Sequence, residues 1–404
     1  IRGLTSLEDV VPLSRVLTAR QRAAVLLPLT SLEARLERDL RRAVGGRAGA
    51  LGDREERRRL GQDLARIEVA LARAYSAFDT YVDILTQRTS PDLGALLRGC
   101  DVLALDALQR DHPALASLEP PIVHCDRGYG ASVVREGVTF GGGADNAVAL
   151  IQLPYSRLRD KCNLVSLVHE AGHQALVRLG VLSPLTAALE AGVRRAGGTD
   201  EAARAFAGWV SEIGADFWAF CGTGFAQTST AFEVLAVPYA DLVATRPGDP
   251  HPPPWLRPLL SVAWCRRAFG PGPWDAWARE WLAMHPLPAG AQLLREGATL
   301  APAVAAALFE TKLAALGDRP MTSLFDLRAV SLRRAERSLR YLSEGRIRLA
   351  GLSPLAHLAV FRAARMRRVL TEEALDGLMS RWLHMLAARH ANSDVFERRI
   401  SHAH

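Results

Sequence analysis

The sequence predicts an α+β fold that is predominantly helical, with a small mixed β-sheet set among the helices. Three observations predict it. Apolar residues recur at three- and four-residue intervals through residues 1–115 and again after 265. Over residues 117–154, "SLEPPIVHCDRGYGASVVREGVTFGGGADNAVALIQLP", that period gives way to short alternations of β-branched residues broken by glycine clusters. Residues 164–180, "LVSLVHEAGHQALVRLG", are apolar nearly all round, the pattern of a helix buried in a core.

In chain order, helices are expected at "SLEARLERDLRRAV" (31–44), "REERRRLGQDLARIEVALARAYSAFDTYVDIL" (54–85) and "LGALLRGCDVLALDALQ" (93–109), with the glycine-rich "GGRAGALGD" (45–53) joining the first two. Residues 117–154 supply two to four short strands. A helix then carries "HEAGH", with Asp160 or Asn163 as its N-cap and Gly180 as its stop. A second runs through "TDEAARAFAGWVSEIGADFWAFCG" (199–222). The proline-dense "RPGDPHPPPWLRPLL" (246–260) turns into another helix, since proline is tolerated at helix starts but not inside them. The remainder is mostly helical and shows no internal repeat. The expected organisation is an N-terminal helical region (1–115), a central core (116–265) and a C-terminal helical region (266–404).

A chain of 404 residues buries a large core without staples. Its formal charge of +7 comes from arginine, since Lys161 and Lys312 are the only lysines. Runs such as "REERRRL" (54–60) and "SLRRAERSLRYLSEGRIR" (331–348) interleave acids with arginines at helical spacing, the pattern of a solvated helix face and not of a nucleic-acid surface. Cys100, Cys125, Cys162, Cys221 and Cys265 form no CxxC pair, and an odd count suits a reducing, cytoplasmic compartment. No apolar run reaches about 18 residues, so no membrane span or signal peptide is expected.

His169 and His173 are four residues apart, so on a helix their rings project from one face one turn apart and reach one ion. Glu170 stands where H-E-x-x-H places a carboxylate beside metal-bound water. A catalytic zinc site takes a third protein ligand. It is not a histidine of the extended H-E-x-x-H-x-x-G-x-x-H pattern, because Leu176 and Leu179 occupy the required positions. Three later acids compete: Glu190 in an irregular stretch, Glu201 in a first helical turn that the dipole explains, and Glu212. Glu212 is favoured. It is read as lying mid-helix among apolar residues, with Asp216 one turn on, able to accept the N–H of a ligating histidine.

"HEAGH", then "EIGAD", then "DPHPPPWLR" together resemble the gluzincin metallopeptidases, and within them the soluble catalytic core of the M48 family. The resemblance covers roughly residues 120–265, and the helical flanks have no counterpart in it. It implies a zincin-like core, Zn2+ as cofactor, a peptide or protein substrate, Glu212 as third ligand and Glu170 as general base. It also implies that His251 and Arg257 lie near the substrate carbonyl and stabilise the developing oxyanion. Both have merit apart from the resemblance, since a rigid proline turn can hold an imidazole and a nearby cation stabilises negative charge in a dry site. Tyr239 is a further oxyanion candidate. "NAVALIQLP" (146–154) is placed to offer a sheet edge to an extended peptide.

The expected activity is zinc-dependent peptide hydrolysis. Two histidines and a carboxylate also serve non-haem Fe(II) oxygenases, which would modify a peptide instead of cutting it. A non-enzymatic module with a vestigial metal site is a third reading, and the intact Glu170 speaks against it. Flanks that roof the cleft would favour a narrow processing role. Other residues have structural readings: His124, Cys125 and Asp126 alternate faces on a strand and do not converge on a second metal. His390, His402 and His404 are expected in solvent, and Trp218, Trp255 and Trp264 in the core.

Overall fold

The structure is a computed structural model that describes residues 1–45, 54–128, 130–140, 144–346 and 351–401. Most of the connection expected at 45–53, together with His402, His404 and the side chain of His390, lies outside the described residues. The chain is predominantly helical with a small mixed sheet.

Two long helices, Ala19–Gly45 and Arg54–Thr86, form the N-terminal layer. Each buries one stripe: Val25, Leu29, Leu32 and Leu36 on the first, Ala74, Phe78, Tyr81 and Leu85 on the second. The first helix begins twelve residues before the expected "SLEARL" and runs through Pro28. Burial of that stripe outweighs the roughly 3 kcal/mol that an internal proline costs a helix.

The sheet has the order β1 (Ile122–Asp126), β5 (Leu150–Pro154), β2 (Ser132–Val134). β1 runs parallel to β5 and β2 antiparallel to it. β3 (Thr139–Phe140) and β4 (Ala144–Asp145) form a separate antiparallel pair, so the described residues hold five strands and not two to four. Two-residue strands in a glycine-rich segment carry no alternation to read. The pleat sorts the sheet's side chains between two cores: Ile122 and Leu150 pack on the N-terminal helices, while Val123, Cys125, Ile151 and Leu153 face the larger core. A buried ion pair, Arg88 with Asp101, pins the layers together. Asp101 also accepts the Val123 amide at 2.8 Å and Gln21 Nε2 at 3.1 Å.

At the centre of the larger core the histidine helix (Val165–Leu179) lies against the glutamate helix (Val210–Thr223). The helix Pro91–Leu108 packs on the histidine helix and also on the C-terminal helix Glu372–Ser401, so this core draws on residues from Leu97 to Leu386. Trp218, Trp255 and Trp264 are buried in it; the indole of Trp218 donates to the Ala107 carbonyl and that of Trp255 to the His285 carbonyl.

Two details differ from expectation. The histidine helix has no side-chain cap, because a 3-10 turn (Lys161–Leu164) leads into it and Asp160 is engaged by Arg365 and Asn163 instead. Gly180 does end it, at φ 65°, a left-handed conformation in which glycine carries no Cβ penalty. The single helix expected over 199–222 is split at Trp209 into Asp200–Gly208, capped by Thr199, and the glutamate helix. Among the described residues no single helix is long and apolar enough to cross a membrane.

Candidate metal centre

The local sequence brings the two central helices unusually close. A Cβ on Gly172, the glycine of "HEAGH", would stand 3.0 Å from Trp218 Cβ and 3.2 Å from Ala215 Cα; one on Gly214, the glycine of "EIGAD", would stand 2.9 Å from Leu176 Cδ1. Each motif thus carries a glycine on the face where the other helix lies.

That approach sets Glu212 against both histidines. Its Oε2 is 3.3 Å from His169 Nε2, its Oε1 is 3.2 Å from His173 Nε2, and the two Nε2 atoms are 3.2 Å apart. Donors held about 2.0–2.1 Å from a tetrahedral ion stand roughly 3.3–3.4 Å from one another. The three separations fit one zinc-sized ion shared by His169, His173 and Glu212, and among the described residues this is the group of His, Cys, Asp and Glu that could hold a metal. The split at Trp209 places Glu212 in the first turn of its helix and not mid-helix as expected. It is nonetheless buried, and the helix dipole favours its charged form there. Its rivals lie on the surface: Glu190 pairs with Arg194, and Glu201 is exposed.

The candidate ligands are backed from behind. Asp216 Oδ1 lies 2.9 Å from His169 Nδ1, a contact too bent for a straight hydrogen bond, and Ser211 Oγ lies 3.2 Å from His173 Nδ1. Asp216 is itself clamped by Arg257, Nε to Oδ2 at 2.8 Å and Nη2 to Oδ1 at 2.9 Å, and accepts Gln227 Nε2 at 3.1 Å. Ser211 and Gln227 escaped the sequence reading, because a serine and a glutamine carry no motif; Ser211 preceding Glu212 was the one available signal.

Charge in this buried site is mutually dependent. Burial would depress the His169 imidazole, but the Asp216 and Glu212 carboxylates reverse this and push it up to about 10. Burial works against Glu212 and Asp216 as well, yet both histidines and Arg257 hold Glu212, and Arg257 and His169 hold Asp216, far below the ordinary carboxylate range. Glu170 behaves differently. It is 6 % exposed, makes no hydrogen bond among the described residues, and burial raises its pKa.

A cleft of about 560 Å³ opens on this cluster, lined by Glu170, Glu212, His169 and His173. His251 stands at its rim, with Nδ1 2.8 Å from Asp249 Oδ1 and Nε2 3.5 Å from Glu212 Oε1. Arg257, expected near the substrate carbonyl, lines the same cleft and is largely buried, with its guanidinium paired to Asp216 and Nη2 3.7 Å from Glu212 Oε2. Tyr239 donates to the Pro286 carbonyl and does not line the cleft. The sheet edge also differs from expectation. β5 is the central strand, hydrogen-bonded on both sides, whereas β2 is at the edge and its segment 130–135 forms a cleft wall.

Comparison with protein-family models, with curated proteins and with solved structures returns no match for this chain.

Proposed function

We propose that the protein is a zinc-dependent peptidase with a zincin-like core, acting on peptides in a reducing, cytoplasmic compartment. The observation that carries this reading is the convergence of His169, His173 and Glu212 within 4.8 Å beside a buried carboxylate, Glu170, in an open cleft. Zinc held by those three residues would polarise a carbonyl and lower the pKa of water. Glu170 accepts the proton of the attacking water and returns it to the leaving amine; its lack of hydrogen-bond partners leaves both oxygens available for this. His251, oriented by Asp249, presents Nε2 to the cleft and donates to the developing oxyanion. Arg257 acts through Asp216, holding the carboxylate that orients His169, and is a positioning residue. The β2 edge offers main-chain hydrogen bonds to an extended substrate. The five unpaired, buried cysteines support the reducing compartment.

The test is elemental mass spectrometry of wild type and Glu212→Ala, followed by a peptide-cleavage screen. Near-stoichiometric zinc lost in the variant, with cleavage by wild type, is the expected result. Bound iron with oxygen consumption would replace the peptidase by an oxygenase, and metal unchanged in Glu212→Ala would overturn the ligand set.

A further inference from the structure

We propose that Gln227 is a substrate-binding residue whose Oε1 accepts a main-chain N–H of an extended peptide held against the β2 edge, within about three residues of the bond cut. This rests on the peptidase reading above and adds to it a contact made by the helix Phe225–Val234.

The orientation of the carboxamide follows from its neighbour. Gln227 is 6 % exposed and lines the cleft. A carboxylate only accepts, so the nitrogen end of the carboxamide is the end that meets Asp216 Oδ1, at 3.1 Å. The oxygen end is left over. Among the described residues no donor reaches Oε1, although the atom keeps a surface open to solvent. The same contact sets its distance from the metal centre. His169 Nδ1 lies 2.9 Å from Asp216 Oδ1, so it and Gln227 Nε2 are at most about 6 Å apart, roughly two residues of an extended chain.

The rest of the cleft shows why an N–H is the partner. A peptide hydrogen-bonded to a sheet edge points every second residue's N–H away from that edge, and each such group needs an acceptor. Arg135 and Arg157 also line the cleft, but a guanidinium only donates. The hydroxyls are held by the protein: Ser132 donates to Gln152 Oε1 at 3.2 Å, Ser166 donates to the Asn163 carbonyl at 2.9 Å, and Thr230 accepts from Arg362 Nη2 at 2.6 Å. Glu170, Glu212 and Asp216 belong to the metal centre. Gln227 Oε1 is therefore the neutral side-chain acceptor that the cleft holds in reserve. A substrate N–H replaces water there without loss, whereas an ester oxygen or an apolar group leaves the carbonyl unpaired.

The experiment uses zinc-loaded Glu170→Gln protein, which separates binding from chemistry. Its probes are short peptides of varied sequence in which each backbone amide in turn is replaced by an ester, so that one N–H at a time becomes an oxygen. Calorimetry gives the Kd of each. One ester position is expected to weaken binding about 5- to 10-fold and to lose that effect when Gln227→Met is added, because methionine has similar length and no amide oxygen. Gln227→Glu keeps an oxygen at the same reach in either protonation state and should preserve the effect. Ester effects that are the same with and without Gln227→Met overturn the proposal. So does a set of esters that all bind like their amides, a result that needs no variant of Gln227. Wild-type cleavage of the amide peptides alongside either outcome leaves the peptidase reading intact. A Gln227-dependent ester effect without cleavage upholds the contact and removes the peptidase reading instead, and peptides that are neither bound nor cut overturn both.

Discussion

Arg257 holds Asp216 through two hydrogen bonds, of 2.8 and 2.9 Å, and the same carboxylate lies 2.9 Å from His169 Nδ1. The buried cation and His169 thus share one anion. Removing Arg257 leaves Asp216 buried and without its main counter-charge, so Arg257→Ala should destabilise the fold by about 3–5 kcal/mol. Denaturant unfolding of wild type and variant measures this, and a change below 1 kcal/mol would show that the clamp is dispensable.

Asp216→Asn keeps the shape but removes the charge that orients His169. Zinc affinity should fall about 10- to 100-fold, as measured by competition with a chromogenic chelator. Unchanged affinity would mean that the bent contact to Nδ1 does not tune the ligand.

Metal binding should also register as stability. A ligand that binds only the folded state at a hundred times its Kd adds about 2.7 kcal/mol, so a strong chelator should lower the Tm of wild type. Glu212→Ala should melt at the same temperature with or without the chelator.

Glu170→Gln should retain bound zinc and lose peptide cleavage by about 10²- to 10⁴-fold. His251→Ala should likewise retain zinc, with kcat lower by about 10²- to 10³-fold. If His251→Ala loses the metal instead, His251 is a ligand and not an oxyanion donor.

Gly172→Ala tests the helix contact. Alanine is the better helix former, but its Cβ would meet Trp218 Cβ and the Ala215 backbone at 3.0–3.2 Å. Neither neighbour is a flexible side-chain end, so overpacking should dominate, at about 1–3 kcal/mol of lost stability with weaker zinc binding. A more stable Gly172→Ala protein with full zinc affinity would falsify this account of the contact.

Much of the fold was legible because the period of apolar residues is a local property. The stripes around Leu36 and Phe78, the strands at Ile122 and Leu150 and the stop at Gly180 all follow from chain-local sterics and burial. Boundaries that depend on competing long-range contacts were not legible. Asp160 does not cap the histidine helix because Arg365, more than two hundred residues away, engages it.

For the centre itself, the sequence alone determined that His169 and His173 share a helix face with Glu170 between them, because a 3.6-residue repeat leaves them no other arrangement. It also narrowed the third donor to a few acids. Only the tertiary structure decided that Glu212 meets both imidazoles, that Ser211 and Gln227 join the site, that Arg257 pairs with Asp216, and that β2 forms the edge in place of β5. The physical reason is the same in each case. Helical phase is set by neighbouring residues, whereas the meeting of two helices or the order of strands depends on which buried surfaces fit, here at Gly172 and Gly214.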